Sequence, residues 1–488
     1  MFNIFIFLSK YLVIIACLVY VAISFIAIGI KKEVFDPEDY DEEYTPDQIR
    51  KFNIKLSKEY DDKQKYLSLI QLGLIIVSHV VCYGVLYLKA NDSQVLVFMM
   101  IQILLFIMLR FLFPFVYTGL SYQLMNHMML LMSFGFIMIA RLNYNNAIKQ
   151  FIFVVVTMVV SLAVPEFINT MKNPDKLKWV YSAVSFTMIA VVLVFGTRVY
   201  GSKNWIKLGK ILIQPSEFSK IVFVFAMASF LSKGGKFKDV IMAGIVAAMH
   251  ILVLVMEKDL GGALIFTVTY IVMIVIASGN ILYLFAGIGC GSAASMVAYK
   301  MFSHVRVRVN AWKDPWGTIA NNGYQMAQSL FAIGTGGWFG LGLTMGYPES
   351  IPVASSDFIF ASICEEMGTI TGMCLILIYI VTFITIMQIA IRLKSEFHKL
   401  LAAGLGFMIV FQTFLCIGGV TKFIPSTGVT LPLVSYGGSS IVSTLILFNV
   451  IQGLYVLDKD KERKKLSPPK KKGRKNKKMN EERPEYEE

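Results

Sequence analysis

Long apolar blocks separated by short polar links dominate the chain. Residues 11–30 carry no charged side chain, and twenty apolar residues are enough to cross a hydrocarbon core of about 30 Å as a helix. This first block lacks a basic start and a small-residue cleavage site, so we expect an uncleaved helix rather than a signal peptide. The blocks predict thirteen spans near residues 5–30, 66–89, 95–118, 122–140, 149–170, 178–197, 215–232, 239–256, 260–278, 281–301, 357–391, 399–420 and 427–456.

Composition supports a membrane protein of the all-α class, a polytopic helical bundle. Only 16% of the 488 residues are charged, whereas a soluble protein has about 25%. The net charge of +14 comes partly from the run 470–478. Beside a membrane span such a run is a topology signal or an anionic-lipid contact, so we expect no nucleic-acid partner. The six cysteines form no C-x-x-C pair and the five histidines are scattered, which indicates neither a disulfide framework nor a zinc site.

The distribution of Lys and Arg predicts an orientation. The basic tail, residues 458–488, is expected in the cytoplasm. Alternation through the spans places the basic links 172–176, 233–238 and 392–399 on the same side, together with the polar segment 31–65. The composition of 31–65 favours disorder or a short surface helix. The links 198–214, 257–259 and 302–356 then lie outside.

The external link 302–356 is unusually long. Loops of about 55 residues are uncommon unless they are functional or disordered, and this one is rich in aromatic residues and glycine. We expect a folded substrate platform. Its glycines are followed by no Gly-Lys-Ser/Thr, and no GxGxxG is present, which argues against ATP or a dinucleotide. Arg306 and Arg308 alternate within it and are predicted to offer two cations in one direction.

Two acids and a lysine collect near the external ends of other spans. Glu217 and Lys220 follow Pro215 and are three residues apart, so they share a helix face and can pair. A capped helix start with a salt bridge is the alternative to a functional pair. Asp259 precedes two glycines at the start of a span. It is either an acid favoured by the helix dipole or a functional group.

The stretch SSDFIFASICEEMG places Asp357, Glu365 and Glu366 in one predicted span. On a straight helix Glu365 would lie about 80° round from Asp357 and about 12 Å along the axis. That is a poor arrangement for the paired carboxylates of a glycosidase, which lie about 5–9.5 Å apart. We therefore expect one accessible aspartate that acts as a general base, with Glu365 and Glu366 as deeper, structural acids.

Five stretches in this order resemble the SEDS family (shape, elongation, division and sporulation), the group of FtsW, RodA and SpoVE. They are W…QPSEFSK, DLGGAL, GYQMAQSLFAIGTGG, IPVASSDFIFASICEEMG and IPSTGVTLPLVSYGGSS, within residues 122–457. The resemblance implies a core of about ten spans that polymerises lipid II into peptidoglycan outside the cytoplasmic membrane. It also implies a class B penicillin-binding protein as partner. Residues 1–121, with about three extra spans, lie outside this core.

The resemblance also implies roles for individual residues. Asp357 matches the catalytic aspartate of the family, Glu217 and Lys220 a charged pair facing a central cavity, and Asp259 a further functional acid. Further cavity or substrate contacts are expected at Gln325, Ser435 and Tyr436 in the matched motifs. From their charge, Lys203, Lys258, Arg306 and Arg308 are candidates for stabilising the pyrophosphate leaving group. The chain departs from the family at Asn204, where Arg is frequent, and at Glu257-Lys258, where Gln-Pro is usual.

Two other functions remain open for this pattern. Acids in membrane spans and glycine-broken helices also occur in transporters, including a flippase for lipid II. A scaffold that only docks a transpeptidase has no need of Asp357. No cofactor is implied with certainty, and Mg²⁺ or Mn²⁺ is a candidate for sharing the charge of the pyrophosphate. Whether the chain serves division, elongation or sporulation is not encoded in these motifs.

Overall fold

The computed structural model describes residues 2–35, 44–199, 202–209 and 211–466. Residues 36–43 and 467–488, which include most of the basic tail, lie outside the described residues. The chain is a helical bundle. Its helices are α1 (Phe2–Gly29), α2 (Pro46–Ala90), α3 (Ser93–Val116), α4 (Tyr122–Leu142), α5 (Tyr144–Ser161), α6 (Val164–Thr170), α7 (Lys178–Phe195), α8 (Pro215–Leu231), α9 (Phe237–Met256), α10 (Leu260–Ser278), α11 (Leu282–Met301), α12 (Ser303–Lys313), α13 (Tyr324–Gly336), α14 (Ile359–Met367), α15 (Thr369–Arg392), α16 (Glu396–Val420) and α17 (Gly438–Leu466).

The described chain has twelve helical segments long and apolar enough to cross a membrane. The protein is therefore a multi-pass membrane protein, as the apolar blocks predict. The predicted span 215–232 is α8, which has 17 residues and is buried along nearly its whole length. The centre of the bundle is formed by α4, α8, α16 and α17, whereas α11 has no buried residue and lies at the periphery.

The segment between the first two spans differs from its prediction. Residues 46–65 are neither disordered nor a short surface helix, because they form the first half of the 45-residue α2. A capping box between Thr45 and Gln48 starts this helix. Lys63 pairs with Glu59 one turn away, at 2.8 Å. Such local contacts, with packing against the end of α17, allow a charged sequence to remain helical.

The predicted span 357–391 is wrong, because it is two helices broken at Gly368. This glycine has φ +89°, a conformation that residues with a Cβ rarely adopt. The amides of Leu341 and Gly342 donate to the carbonyls of Glu365 and Glu366, at 2.9 Å each. The glycine-rich segment 337–342 therefore satisfies the backbone at the end of α14. The amide of Thr369 donates to the carbonyl of Gly337 at 2.9 Å, so the same segment caps the start of α15.

Two further boundaries differ. The last span was expected from residue 427, but α17 begins at Gly438, since residues 421–437 form a folded loop. The predicted span 149–170 is interrupted between α5 and α6. The link between α7 and α8 carries a small antiparallel sheet of three strands, which no apolar block predicted. The strands are β1 (Thr197–Val199), β2 (Ser202–Leu208) and β3 (Ile211–Ile213).

The spans alternate in direction, so their links gather on two faces. The loop face carries the links 196–214, 257–259, 302–368 and 421–437, which contact one another. For example, the Lys203 amide donates to the Glu257 carbonyl at 3.1 Å. The tail face carries residues 30–35, the first half of α2 and the end of α17. There Lys32 forms an ion pair with Glu462. The predicted site residues other than Glu217 and Lys220, which lie one turn inside α8, belong to the loop face.

Candidate active site

Asp357 lies in a turn just before α14, on the loop face. The loop 431–437 holds this turn in place. The Ser435 hydroxyl donates to the carbonyl of Ser356 at 2.5 Å, and the Tyr436 amide donates to the carbonyl of Ser355 at 2.8 Å. The Asp357 side chain is half-buried. Since Asp357 is not part of α14, the predicted single-helix relation between Asp357 and Glu365 does not apply.

Arg308 reaches towards Asp357 from α12. Its guanidinium donates to the carbonyl of Ser426 at 3.1 Å. Gly428 lies beside both side chains, because a Cβ built there would be 3.4 Å from the guanidinium and 3.6 Å from the Asp357 carboxylate. Burial raises the pKa of Asp357 above its ordinary value, while Arg308 and a hydrogen bond from Ser356 lower it without cancelling the rise. The result is a carboxylate that holds a proton more readily than a solvated aspartate.

Arg306 does not join Arg308, so the prediction of two cations in one direction is wrong. Both residues lie on the helix α12, where neighbours two residues apart are separated by about 200°. The Arg306 guanidinium donates instead to the carbonyl of Lys300 at 2.8 Å. Residues two apart point in the same direction on a strand but not on a helix. The local sequence pattern did not predict that this segment is helical.

Glu217 and Lys220 form a buried pair on α8, at 2.7 Å. The Lys220 ammonium also donates to the side-chain oxygen of Gln412 at 2.8 Å, and the Ser443 hydroxyl donates to Glu217 at 2.9 Å. The Gln412 amide in turn donates to the carbonyl of Thr430 at 3.0 Å. The pair is thereby connected to the loop 421–437, which contains Gly428 beside Asp357.

Asp259 belongs to a different set of contacts. It caps α10 by accepting from the Gly262 amide at 2.8 Å. Its other oxygen accepts from Asn204, Gln214 and Ser216, at 3.2–3.3 Å. Ser216 precedes Glu217, so the two sets are neighbours along α8. In the described residues no side-chain hydrogen bond joins one set to the other. Asn204, where the family frequently has Arg, is thus a hydrogen-bond donor to Asp259.

Lys203 and Gln325 are placed away from Asp357. The Lys203 ammonium donates to the carbonyl of Leu193, at the end of α7, at 2.5 Å. Gln325 is exposed on the first turn of α13. Neither arrangement brings a side chain to Asp357 in this structure, and their substrate contacts stay predictions.

Glu257 is a buried acid that the motifs did not single out for a role. Both carboxylate oxygens are buried and have no hydrogen-bond partner among the described residues. Burial is the main cause that raises the pKa of Glu257 to about 8, and the nearby charge of Asp259 is the second cause. Its protonated form therefore predominates at neutral pH. Among the described residues no cluster of three or more His, Cys, Asp or Glu side chains could hold a metal ion, and metal dependence stays a prediction.

Glu365 and Glu366 are more fully buried than Asp357, and their structural role stays a prediction. Glu366 forms an ion pair at 3.0 Å with Arg141, which lies at the end of α4. Arg141 also pairs at 2.5 Å with the half-exposed Glu349. Glu365 accepts from the Tyr347 amide at 2.9 Å. These contacts lie on the loop face, because the short helix α14 ends at the turn at Gly368 and only α15 enters the bundle. Burial raises the pKa of Glu366 to about 7, although Arg141 opposes the rise.

Sequence reasoning missed Gln412 and Arg141, which connect the predicted residues to their surroundings. Gln412 is an uncharged polar side chain within the apolar span α16. A polar residue in a span usually faces a partner inside the bundle, and this signal could have identified it. Arg141 falls just after the predicted span 122–140, where an arginine carries no comparable signal.

The chain matches a family of known proteins over most of its length. The family model for FtsW, RodA and SpoVE, described as a cell cycle protein, matches residues 120–459. The peptidoglycan glycosyltransferase RodA of Mycobacterium bovis is 34% identical over 351 residues, which cover 66% of this chain and 75% of the relative. Stage V sporulation protein E of Bacillus subtilis is 34% identical over 278 residues, covering 55% and 76%.

Solved structures share the fold. A chain of a peptidoglycan synthase complex superposes with a TM-score of 0.59 at 21% identity and covers 70% of this chain and 98% of its own. The crystal structure of RodA from Thermus thermophilus superposes with a TM-score of 0.52 at 21% identity, covering 69% and 97%. The first 119 residues lie outside the family match. The match over residues 120–459, with a relative aligned over three-quarters of its length, shows that this chain belongs to the FtsW/RodA/SpoVE family of cell cycle proteins.

Proposed function

We propose that the chain is a peptidoglycan glycosyltransferase that polymerises lipid II, with Asp357 as the general base. The observation that carries this assignment is the half-buried Asp357 with raised pKa, which lies with Arg308 beside Gly428 on the loop face. Relatives that are 34% identical are named peptidoglycan glycosyltransferases. A flippase needs no such base beside a cation at one face.

The chemistry requires a base and a positive charge close together. Asp357 takes the proton of the acceptor sugar hydroxyl while the hydroxyl oxygen attacks the anomeric carbon of the lipid-linked donor. The bond from that carbon to the polyprenyl pyrophosphate breaks at the same time, and the leaving group takes the electron pair. Arg308 faces the charge that develops, and stabilisation of developing charge is frequently the largest contribution to catalysis.

The pair Glu217–Lys220 supports the site from below. Through Gln412 and Thr430 it holds the loop 421–437, the loop that places Gly428 and Ser435 beside the Asp357 turn. In this proposal the pair positions the loop, and it need not touch substrate. Asp259 holds the start of α10 against the β2–α8 link in the same way.

The proposal includes a partner and a sidedness. One solved structure with this fold comes from a peptidoglycan synthase complex that couples polymerisation and crosslinking. By analogy we infer a class B penicillin-binding protein as partner here. The basic links put the tail face in the cytoplasm, so the loop face and Asp357 lie outside, where peptidoglycan is assembled. A divalent cation that shares the pyrophosphate charge remains part of the proposal.

The decisive experiment measures glycan strands made from purified lipid II by the full chain, with and without a partner transpeptidase. Asp357→Asn keeps the shape and removes the base, so the rate should fall about 10²–10⁴-fold. Glu349→Gln is the matched control, because it neutralises a half-exposed acid on the same face, where a surface ion pair contributes little. Polymerisation by Asp357→Asn within a few-fold of wild type would rule out the base and revive the flippase alternative.

A further inference from the structure

A polar cavity of about 230 Å³ opens on the tail face, far from Asp357. One water needs only about 10–15 Å³ of such space, so the cavity is large enough for a small polar group. It lies between the first half of α2, which precedes the family match, and the core helices α15 and α17. The site is thus completed by a segment that the family core does not supply.

Cations dominate the polar wall of this cavity. Four basic side chains line it, against two acidic ones, Asp61 and Asp62; the basic residues are Lys65, Arg392, Lys459 and Arg463. The ring of Tyr60 has Arg392 5.8 Å and Lys459 5.7 Å from its centroid. An aromatic face stabilises cations that are crowded together.

Arg392 forms no ion pair in the described chain. Lys459 pairs with Asp61 at 2.7 Å, whereas the carboxylate nearest in charge to Arg392, that of Asp458, lies beyond ion-pair distance. A guanidinium has five N–H donors in a fork that fits a phosphate group, and the Tyr60 hydroxyl can accept only part of them.

Apolar residues also line the cavity. They are Ala27 and Ile28 at the end of α1, Leu120, and Ile389 on α15. The cavity therefore offers both cations and hydrocarbon, at the ends of spanning helices. Basic pockets between spans on the cytoplasmic side are typical sites for anionic lipid headgroups.

We propose that this cavity binds the phosphate headgroup of an anionic phospholipid, with Arg392 as its main contact and Lys65 at the rim. The phosphate of the lipid pairs with the Arg392 guanidinium, and its acyl chains follow the apolar residues of the lining. The N-terminal extension thereby adds a lipid site to the family core.

Native mass spectrometry of the full-length chain in detergent tests this site. Separate titrations use dioctanoyl phosphatidylglycerol, dioctanoyl phosphatidylcholine and inorganic phosphate. We expect one tightly held phosphatidylglycerol in the wild type, and binding at least about fivefold weaker in Arg392→Gln. The exposed Lys65→Gln should weaken the same event and carries the test if Arg392→Gln does not fold. The matched control is Lys238→Gln, an exposed lysine at the start of α9 outside the cavity.

Three results would overturn the proposal. Equal binding by wild type, Arg392→Gln and Lys65→Gln would show that the lipid lies elsewhere. An equal loss of phosphatidylglycerol binding in Lys238→Gln would mean that binding depends on the net charge of the protein and not on this cavity. Saturation by inorganic phosphate at the same concentration would make the ligand a free anion instead of a lipid. Because binding is measured without lipid II, the outcome is independent of the polymerase assay.

Discussion

The pKa of Asp357 is set by two opposing effects, burial and the charge of Arg308. Burial favours the protonated acid, whereas the positive charge of Arg308 favours the carboxylate that a general base needs. The pKa stays above the ordinary value, so burial is the stronger effect. A base with a raised pKa accepts a proton more strongly, and a cation that opposes the burial favours its ionised form.

The pH dependence of polymerisation should reveal this balance. The rate rises with pH as Asp357 ionises. Arg308→Gln removes the charge that lowers the pKa of Asp357, so the rise should move to higher pH. Arg306→Gln is the matched control, since Arg306 faces Lys300 instead. The measurement is the initial rate of polymerisation across pH for the three proteins. An unmoved profile in Arg308→Gln would mean that Arg308 does not act on Asp357.

Lys220 should matter for stability more than an exposed lysine does. Its side chain is 4% exposed and that of Glu217 is 13% exposed. Removing one partner of a buried pair costs about 3–5 kcal/mol, because the other charge is left unpaired. We therefore expect Lys220→Met to lower the thermal stability of the purified protein as well as its activity.

Two variants control for the loss of charge alone. Lys233→Met removes an exposed lysine just after α8 and should leave thermal unfolding unchanged. The double variant Glu217→Gln/Lys220→Met leaves no buried charge and should recover part of the stability. Normal thermal stability of Lys220→Met would mean that water solvates the residue and that its role is limited to substrate contact.

At the scale of elements, the glycine-rich segment shapes the site through backbone contacts. Residues 337–342 bind the end of α14 and the start of α15, which fixes the turn at Gly368. Gly336 permits the close approach of α13 to α14, since a Cβ there would lie 2.1 Å from the carbonyl oxygen of Cys364. These glycines therefore have a structural function, which explains why they match no phosphate-binding pattern.

Two glycines of α13 provide a matched test of this packing. Gly336→Ala should destabilise the protein by about 1–3 kcal/mol or more, because a backbone contact must open. Gly334→Ala meets no atom within 4 Å and should be neutral or stabilising by about 0.5–1 kcal/mol in a helix. Thermal unfolding of both variants compares them. Similar behaviour of the two would contradict the close packing of α13 on α14.

For the whole molecule, α17 connects the two faces. Ser439, at its start, accepts from the Gln214 amide at 2.9 Å, and Ser443 binds Glu217 on the next turn. Lys459, near its other end, pairs with Asp61 of the N-terminal extension. The extension is therefore attached to a helix that also contacts the candidate site residue Glu217.

The sidedness of the bundle can be measured directly. In a variant without the six native cysteines, Lys313→Cys should react with an impermeant reagent in intact cells, since it is exposed on the loop face. Lys464→Cys, exposed at the end of α17, should react only after permeabilisation. Labelling of Lys464→Cys in intact cells would invert the orientation and place Asp357 in the cytoplasm.

Much of this protein is encoded locally. The apolar blocks specify the spans, because a membrane helix must satisfy its own backbone and its length is set by the bilayer. The pair Glu217–Lys220 could be predicted as well, since residues three apart on a helix are neighbours. The family motifs indicated Asp357, and they did so without reference to its neighbours.

The remaining features depend on contacts between segments distant in sequence. The break at Gly368 requires the segment 337–342, and the charge beside Asp357 comes from Arg308. Arg141, which pairs with Glu366, lies 225 residues away. An apolar pattern cannot distinguish one long span from two helices that meet at a turn, because both bury the same residues. Only the tertiary structure brings these partners together, and it thereby decides which acids are paired and which one is available as a base.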